Sequence, residues 1–456
     1  MKVLLINPHT EIKSGSPKVM PLGLAYLSSV LIEEGHTVDV WDSAVEPDKN
    51  LNYDYDVFGI TSTTPTIVKA WKLAKNIKKN NPNCSIILGG PHPTALPEES
   101  LNHEGVDVIV RGEGEETIKE VCEKLEKRKS LIDVKGISYK DSGKIRHNIS
   151  RPYIENLDKI PFPRWDLFDV KKYQPIQPLL TNRKSMNIMT SRGCPYNCNF
   201  CFKEIFGRKY RMRSVENIVE EWRILVEKYK VEEIGIQDDL FNFDKKRVID
   251  FCKNIRSEGL DVLWCTPNGI RADHADKEVL INMKKAGCYR ISYGVENGNQ
   301  NYLDNVVGKC IKLEQIRVAT KLARNLKFKI GASFVLGNIK ETISTMKQTI
   351  DFACSLPIDY ALFSIATPYP VSRMYLYVIK NCKLLVKSWE EYSAVSGKCY
   401  FECENLTKDI VENMFKYAYR RFYLRYSHIL SKISDINNWE NMMNLVEGVI
   451  HYIGGR

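Results

Sequence analysis

Three cysteines, Cys194, Cys198 and Cys201, stand in C-x3-C-x2-C spacing within Met-Asn-Ile-Met-Thr-Ser-Arg-Gly-Cys-Pro-Tyr-Asn-Cys-Asn-Phe-Cys-Phe, residues 186 to 202. Thiolates hold iron-sulfur clusters, and a [4Fe-4S] cube offers four iron corners. Three cysteines on one short loop take three corners and leave the fourth iron open, as a catalytic metal site keeps a position for substrate. Two other chemistries compete: inert buried thiols, and a zinc knuckle that borrows a fourth ligand. Inert cysteines have no reason to crowd into a Gly/Pro/Asn loop, and structural zinc normally shows a second ligand pair at short spacing. No His or Cys stands near enough in sequence to supply one.

The loop needs an element to present it. The apolar run Met186 to Met189 predicts a short buried strand, and Thr190-Ser191-Arg192-Gly193 turns out of it. A C-x3-C-x2-C loop after a strand, with the aromatic Phe200 before its third cysteine, resembles the radical S-adenosylmethionine superfamily. The resemblance implies a [4Fe-4S] cluster on Cys194, Cys198 and Cys201, with Phe200 among the cofactor-binding residues. The open iron would chelate the amino and carboxylate groups of S-adenosylmethionine, whose reductive cleavage gives methionine and a 5'-deoxyadenosyl radical. An external reductant such as flavodoxin or ferredoxin is implied as a partner.

The chain of 456 residues is long enough for two or three domains. With 43% hydrophobic and 27% charged residues it has an ordinary globular composition. No apolar run approaches a membrane span, and the opening Met1-Lys2-Val3-Leu4-Leu5-Ile6-Asn7-Pro8 lacks a signal-peptide core, so a cytoplasmic protein is expected. Outside the triad the 13 cysteines are scattered singly, which predicts no disulfide framework. The formal charge of +10 permits an acidic or phosphorylated substrate, a membrane surface or nucleic acid, but on its own most often means a solvated Lys-rich surface. No nucleic-acid partner is expected.

Residues 1–140 alternate strands (Val3–Ile6, Thr37–Trp41, Val57–Thr61, Ser85–Leu88, Val106–Val110) with helices (Pro21–Glu34, Pro65–Lys79, Glu115–Lys127). This predicts a Rossmann-like, doubly wound parallel sheet that binds ligands at the carboxyl ends of its strands. Thr63, Gly89, Gly90, Gly112 and Glu113 fall at those ends. Glycines let a backbone lie close to a ligand, which suits a large cofactor as well as an ordinary turn. Gly89-Gly90-Pro91-His92-Pro93-Thr94 and Arg111-Gly112-Glu113-Gly114-Glu115 resemble the cobalamin-binding domain that precedes the radical core in many such enzymes. The D-x-H-x-x-G motif is absent, so the resemblance implies cobalamin held without a protein histidine ligand.

Residues 141–185, with Pro152, Pro161, Pro163, Pro175 and Pro178, read as a packed linker, together with a hairpin over Gly136–Ile145. From 186 to 370 the alternation resumes with strands at Asn187–Thr190, Glu233–Gln237, Val262–Cys265, Arg290–Val295, Lys329–Leu336 and Tyr360–Ala366. Six βα units predict a partial, open (β/α)6 barrel, the fold the resemblance also implies. At its strand ends Asp238 and Asp239 are candidates for contacting S-adenosylmethionine or substrate, and Arg271 for binding a carboxylate. The resemblance gives Glu296 a contact to the ribose or amino group of S-adenosylmethionine. Each acidic residue is equally a candidate helix N-cap, and Arg271 a structural ion pair.

Residues 371–456 are helical, basic and aromatic, with Phe415, Ala418, Phe422 and Tyr426 at helical spacing beside Arg420, Arg421 and Arg425. The readings are a helix closing the barrel mouth, membrane-surface contact, or a basic substrate contact. The expected activity is cobalamin-dependent methyl transfer to an unactivated carbon or phosphorus of a small-molecule, lipid or peptide substrate. The alternative is cyclisation or oxidation of a tetrapyrrole or lipid without methyl transfer. A tRNA methylthiotransferase and a non-catalytic iron-sulfur carrier stand behind both.

Overall fold

The computed structural model describes residues 1–9, 18–47, 49–173, 183–393, 396–404, 406–426 and 428. Pro175 and Pro178 of the expected linker lie outside them.

The first sheet contains β1 (Lys2–Asn7), β2 (Thr37–Asp42), β3 (Val57–Thr61), β4 (Ser85–Gly89), β5 (Val108–Val110), β6 (Ile137–Asp141) and β7 (Lys144–His147), in the order β2-β1-β3-β4-β5-β6-β7. The first five are parallel. Alternation along β1 explains the double winding. Val3 and Leu5 pack with α1 (Leu22–Glu33) and α5 (Glu115–Glu126), whereas Leu4 and Ile6 pack with α2 (Ile67–Asn80) on the other face. Two short helices, α3 (Pro91–Ala95) and α4 (Pro97–Asn102), follow β4 where the sequence suggests only a turn. The predicted hairpin exists but joins the sheet instead of the linker. Val108 pairs antiparallel with Tyr139, and β7 forms the outer edge, so the sheet is mostly parallel.

The following segment folds into short turns whose Leu157, Ile160, Trp165, Phe168, Val170 and Tyr173 are buried in a core continuous with both sheets. The Tyr173 hydroxyl donates to Asp42 at 3.0 Å.

The second sheet has the order β15-β14-β13-β12-β11-β8, all parallel. Its strands are β8 (Ser185–Ile188), β11 (Glu233–Ile236), β12 (Leu263–Ile270), β13 (Cys288–Glu296), β14 (Lys329–Leu336) and β15 (Tyr360–Ile365), and a two-residue pair, β9 (Ser191–Arg192) and β10 (Arg211–Met212), follows β8. The edge strands β8 and β15 do not pair, so the sheet stays open. Its helices are α6 (Val215–Arg223), α7 (Lys245–Ser257), α8 (Lys277–Lys285), the single turn α9 (Gln300–Tyr302), α10 (Leu313–Asn325) and α11 (Ile343–Ser355). Ser214, Asp244, Asp276 and Thr342 cap α6, α7, α8 and α11 by accepting from the backbone N–H three residues on. Strand β12 runs through Asn268-Gly269-Ile270 with a shifted register, so these residues end the strand instead of following it.

Beyond the sheet lie α12 (Arg373–Asn381), the pair β16 (Lys383–Leu384) and β17 (Phe401–Glu402), and α13 (Lys408–Tyr423). Where the scattered cysteines predicted no disulfide framework, among the described residues a single disulfide joins Cys382 to Cys403 across the β16–β17 pair. Register brings their Cα atoms to 4.7 Å, something spacing in sequence does not reveal. Helix α13 lies along the outer edge of the second sheet, its Tyr419 and Tyr423 hydroxyls donating to Phe363 and Ala361 of β15. It therefore covers the outer edge of β15, and none of its residues lines either of the two cavities described below. Phe415, Ala418 and Phe422 belong to the core, while Tyr426 is 77% exposed. No helix among the described residues is long and apolar enough to cross a membrane.

Candidate active site

The cysteine loop is the excursion between β9 and β10, where Arg192 and Arg211 pair antiparallel. Gly193 turns it at φ +83°, where a Cβ would press against the Phe206 carbonyl at 3.0 Å. The Cys194 amide donates to Gly207 at 3.3 Å and the Cys201 amide to Cys198 at 3.2 Å. From behind, buried Asn199 donates to Val307 and accepts from Met374, both at 2.9 Å, and its side-chain amide pairs with Asn338. The three thiols are thus presented by a loop pinned on two sides. A hydrogen bond from Cys201 brings the Cys198 thiol down to about 6 against the opposing effect of burial, with Lys309 helping, and the same bond raises Cys201. Among the described residues no three His, Cys, Asp or Glu converge on one metal ion; a cube asks instead that each thiolate meet a separate iron.

Cys194 and Cys201 line a cavity of about 580 Å³ together with Thr63, Thr64 and Pro91 from the carboxyl ends of β3 and β4. Asp239 and Tyr369-Pro370 complete this wall from the second sheet. A deeper cavity of about 300 Å³ runs into the first sheet past Gly89, Gly90, Gly112 and Glu113, and Pro91, Ile205 and Phe206 border both. The strand ends of the two sheets therefore face one another across a shared space.

The paired carboxylates separate by function. Asp239 opens into the larger cavity, and burial among protein atoms, reinforced by Asp238, raises its carboxyl above the usual range. Asp238 is buried and accepts from the Thr190 amide at 2.6 Å, the Thr190 hydroxyl at 2.5 Å and the Ser191 hydroxyl at 2.6 Å. It braces the strand end that launches the cysteine loop and lines neither of these two cavities.

Glu296 ends β13 at φ +69° beside a register shift, a strained, re-aimed position. It is 8% exposed and accepts from Lys309 Nζ at 2.8 Å. Burial alone would lower the Lys309 ammonium, but Glu296 and then Cys198 outweigh it and hold it above its ordinary value. This pair therefore sits in the field of the cluster loop. Arg271 is no free carboxylate receptor: its fork grips Asp273 at 2.9 and 2.7 Å and its face lies 3.4 Å over the Tyr196 ring. Glu113 lines the deeper cavity with its carboxylate turned to Arg192 and Arg211, making an ion pair between the sheets. Phe200 packs between the main core and the small core of Ile339, Met374 and Tyr400, and borders neither cavity.

Sequence reasoning missed Lys309, Arg192 and Arg211. A buried cation announces itself in sequence only through a partner, and these partners are 13 to 98 residues away.

Residues 14–122 match the B12 binding domain and residues 188–353 the Radical SAM superfamily. An uncharacterized methyltransferase of Pyrococcus horikoshii is 38% identical over 93% of this chain and 93% of its own. The chain belongs to the cobalamin-dependent radical S-adenosylmethionine enzymes. An anaerobic magnesium-protoporphyrin IX monomethyl ester cyclase of Rubrivivax gelatinosus is 30% identical to this radical enzyme, covering 87% of this chain and 73% of the cyclase. The cytidylyl-2-hydroxyethylphosphonate methyltransferase of Streptomyces wedmorensis is 29% identical over 80% of this chain and 79% of its own. In fold it is similar to the cobalamin-dependent radical enzyme OxsB with aqua-cobalamin bound, at TM-score 0.75 and 19% identity over 99% of this chain and 71% of that one. The radical methyltransferase TsrM from Kitasatospora setae gives 0.68 and 18% over 83% and 78%.

The residues of this radical enzyme fit its cofactors. Cys194, Cys198 and Cys201 would supply three thiolates to a cluster with one open iron. Gly23, Gly89 and Gly112 line the deeper cavity where an added Cβ would meet nothing closer than 3.6 Å, a cradle kept clear for a large ligand.

Proposed function

We propose that this enzyme transfers a methyl group to an unactivated carbon, or to phosphorus, of a small-molecule, lipid or peptide substrate. One observation carries the reading: cluster cysteines form one wall of the larger cavity, and Thr63, Thr64 and Pro91 of the cobalamin-binding domain form another. The Pyrococcus and Streptomyces methyltransferases support it. When bound, the cluster, S-adenosylmethionine and cobalamin supply a radical strong enough to take hydrogen from an inert C–H bond and a methyl group to replace it.

The chain's own residues place and enclose. Glu296, its charge matched by Lys309, orients the polar groups of S-adenosylmethionine. Asp239 offers a carboxyl to the larger cavity. Pro65, Ala95, Phe202 and Ile205 keep water from the cavity. We infer that cobalamin sits without a protein histidine below the metal. No histidine among the described residues lines either cavity, and the His92 ring is engaged by Thr64 at 3.3 Å and Glu99 at 3.2 Å. An external one-electron donor and a reducing, cytoplasmic setting suit an oxygen-sensitive cluster.

The cyclase relative supports a second reading, ring formation or oxidation of a tetrapyrrole or lipid without methyl transfer. Mass spectrometry of the products of anaerobically reconstituted, reduced protein separates the two. Methyl transfer predicts 5'-deoxyadenosine together with S-adenosylhomocysteine, the latter only when cobalamin is added. 5'-Deoxyadenosine alone in the presence of cobalamin would favour the second reading.

A further inference from the structure

Both stems of the cysteine loop carry an arginine, and both arginines reach across to the other sheet. Arg192 Nη1 donates to Glu113 Oε1 at 2.9 Å and its Nη2 to Glu115 Oε1 at 2.5 Å. Arg211 Nη1 donates to both oxygens of Glu113 at 2.9 Å. The four residues are between 4% and 6% exposed. The Ile154 amide donates to Glu113 at 2.7 Å, and the rings of Phe206 and Tyr26 lie 4.9 and 5.6 Å from the Arg192 guanidinium, so no member is free to swing.

A buried ion pair is a weak source of stability, because desolvating the charges offsets their attraction, and apolar side chains of similar volume often serve as well. What the planar guanidinium fork adds is direction, since it fixes both distance and orientation of its carboxylates. The register held here is between two walls. Gly112 to Glu115 line the deeper cavity, the cysteine loop lines the larger one, and Ile205 and Phe206 of that loop border both. Because the loop leaves and returns through Arg192 and Arg211, anything that shifts Glu113 shifts both ends of the loop.

We propose that Arg192 and Arg211 with Glu113 and Glu115 are positioning residues that clamp the cluster loop to the cobalamin-side turn and so set the separation of the two cofactors. The inference rests on both cofactors binding as described above. Its test is the distance distribution between the reduced cluster and cob(II)alamin, measured by pulsed EPR on the full chain. Wild type is compared with Arg192→Lys, whose ammonium keeps the charge but lacks the planar fork that directs separate nitrogens to Glu113 and Glu115, and with Glu115→Gln, which leaves Glu113 and both arginines in place.

The clamp predicts one narrow distance in wild type and a broadened or displaced one in the variants, with iron and cobalamin contents unchanged. It also predicts a fall of roughly ten- to a hundred-fold in S-adenosylhomocysteine formed per 5'-deoxyadenosine, the size of effect that small misplacements produce. Variants that melt earlier yet keep the wild-type distance and product ratio would reduce the four residues to packing and overturn the proposal. If Arg192→Lys does not retain the cluster, Glu115→Gln carries the same comparison. Wild type that binds no cobalamin overturns the clamp together with the cofactor reading. Wild type with both centres at a fixed distance but no S-adenosylhomocysteine overturns methyl transfer alone, and the distances still decide the clamp.

Discussion

Each cysteine of the triad has a corner to hold, so Cys194→Ala, Cys198→Ala and Cys201→Ala are each expected to lose cluster iron and all cleavage of S-adenosylmethionine. Iron and sulfide assay with product analysis checks this, and a variant that keeps both would contradict the assignment. Glu296→Gln removes a charge from a buried pair and leaves Lys309 unmatched. Its expected effect is a loss of about 1.5–3 kcal/mol, roughly ten- to a hundred-fold, in S-adenosylmethionine affinity, read by equilibrium dialysis. The triad stood out in the sequence because its three cysteines share one local loop. Asp238 and Asp239 were not separable, because successive residues at a strand end point to opposite faces and which one meets the cavity depends on how β11 pairs with β8. Lys309 and Arg192 were illegible for a related reason: their roles exist only once distant strands are aligned.

Hydrophobic periodicity located nearly every strand and helix of both sheets, since each helix turns an apolar face to a core and the central strands are apolar on both faces. It failed where local chemistry and tertiary context part. Gly89-Gly90-Pro91-His92-Pro93-Thr94 reads as a turn, yet Pro91 starts one short helix and Pro97, just beyond, starts another, the position where proline suits a helix. The hairpin's turn was visible, but its docking on β5 was not. At this scale the interdomain ion pairs give a stability prediction: Arg192→Ala strands Glu115 without its counter-charge and should cost about 3–5 kcal/mol, measured by anaerobic denaturant unfolding. Glu341 gives a pH prediction. It accepts from Asn297 at 2.8 Å and from the Asn338 amide at 3.1 Å, but burial dominates and pushes its carboxyl up to about 8 from 4.5. A carboxyl raised on folding contributes stability that is complete below its unfolded value and lost as pH rises through the folded one. Thermal stability should therefore decline between about pH 5 and 8, and Glu341→Gln should flatten that decline. An equally steep decline in the variant would assign it elsewhere.

Two sheets with their carboxyl ends opposed enclose a space lined from both sides. The first sheet opens the deeper cavity and the second carries the thiols, and the space of about 580 Å³ between them belongs to both. The charge of +10 and the aromatic tail, by contrast, say little about the reaction. Part of the tail is now placed as a cover over β15. The central claim, that S-adenosylmethionine and cobalamin share one space, is tested most directly by incubating the anaerobically reconstituted protein, with its cobalamin reduced by an added low-potential reductant, with S-adenosylmethionine carrying a deuterated methyl group and weighing the recovered cobalamin. The account predicts methylcobalamin bearing the deuterated methyl in wild type. Cobalamin that is bound but returns unlabelled, while the same sample cleaves S-adenosylmethionine, would contradict it.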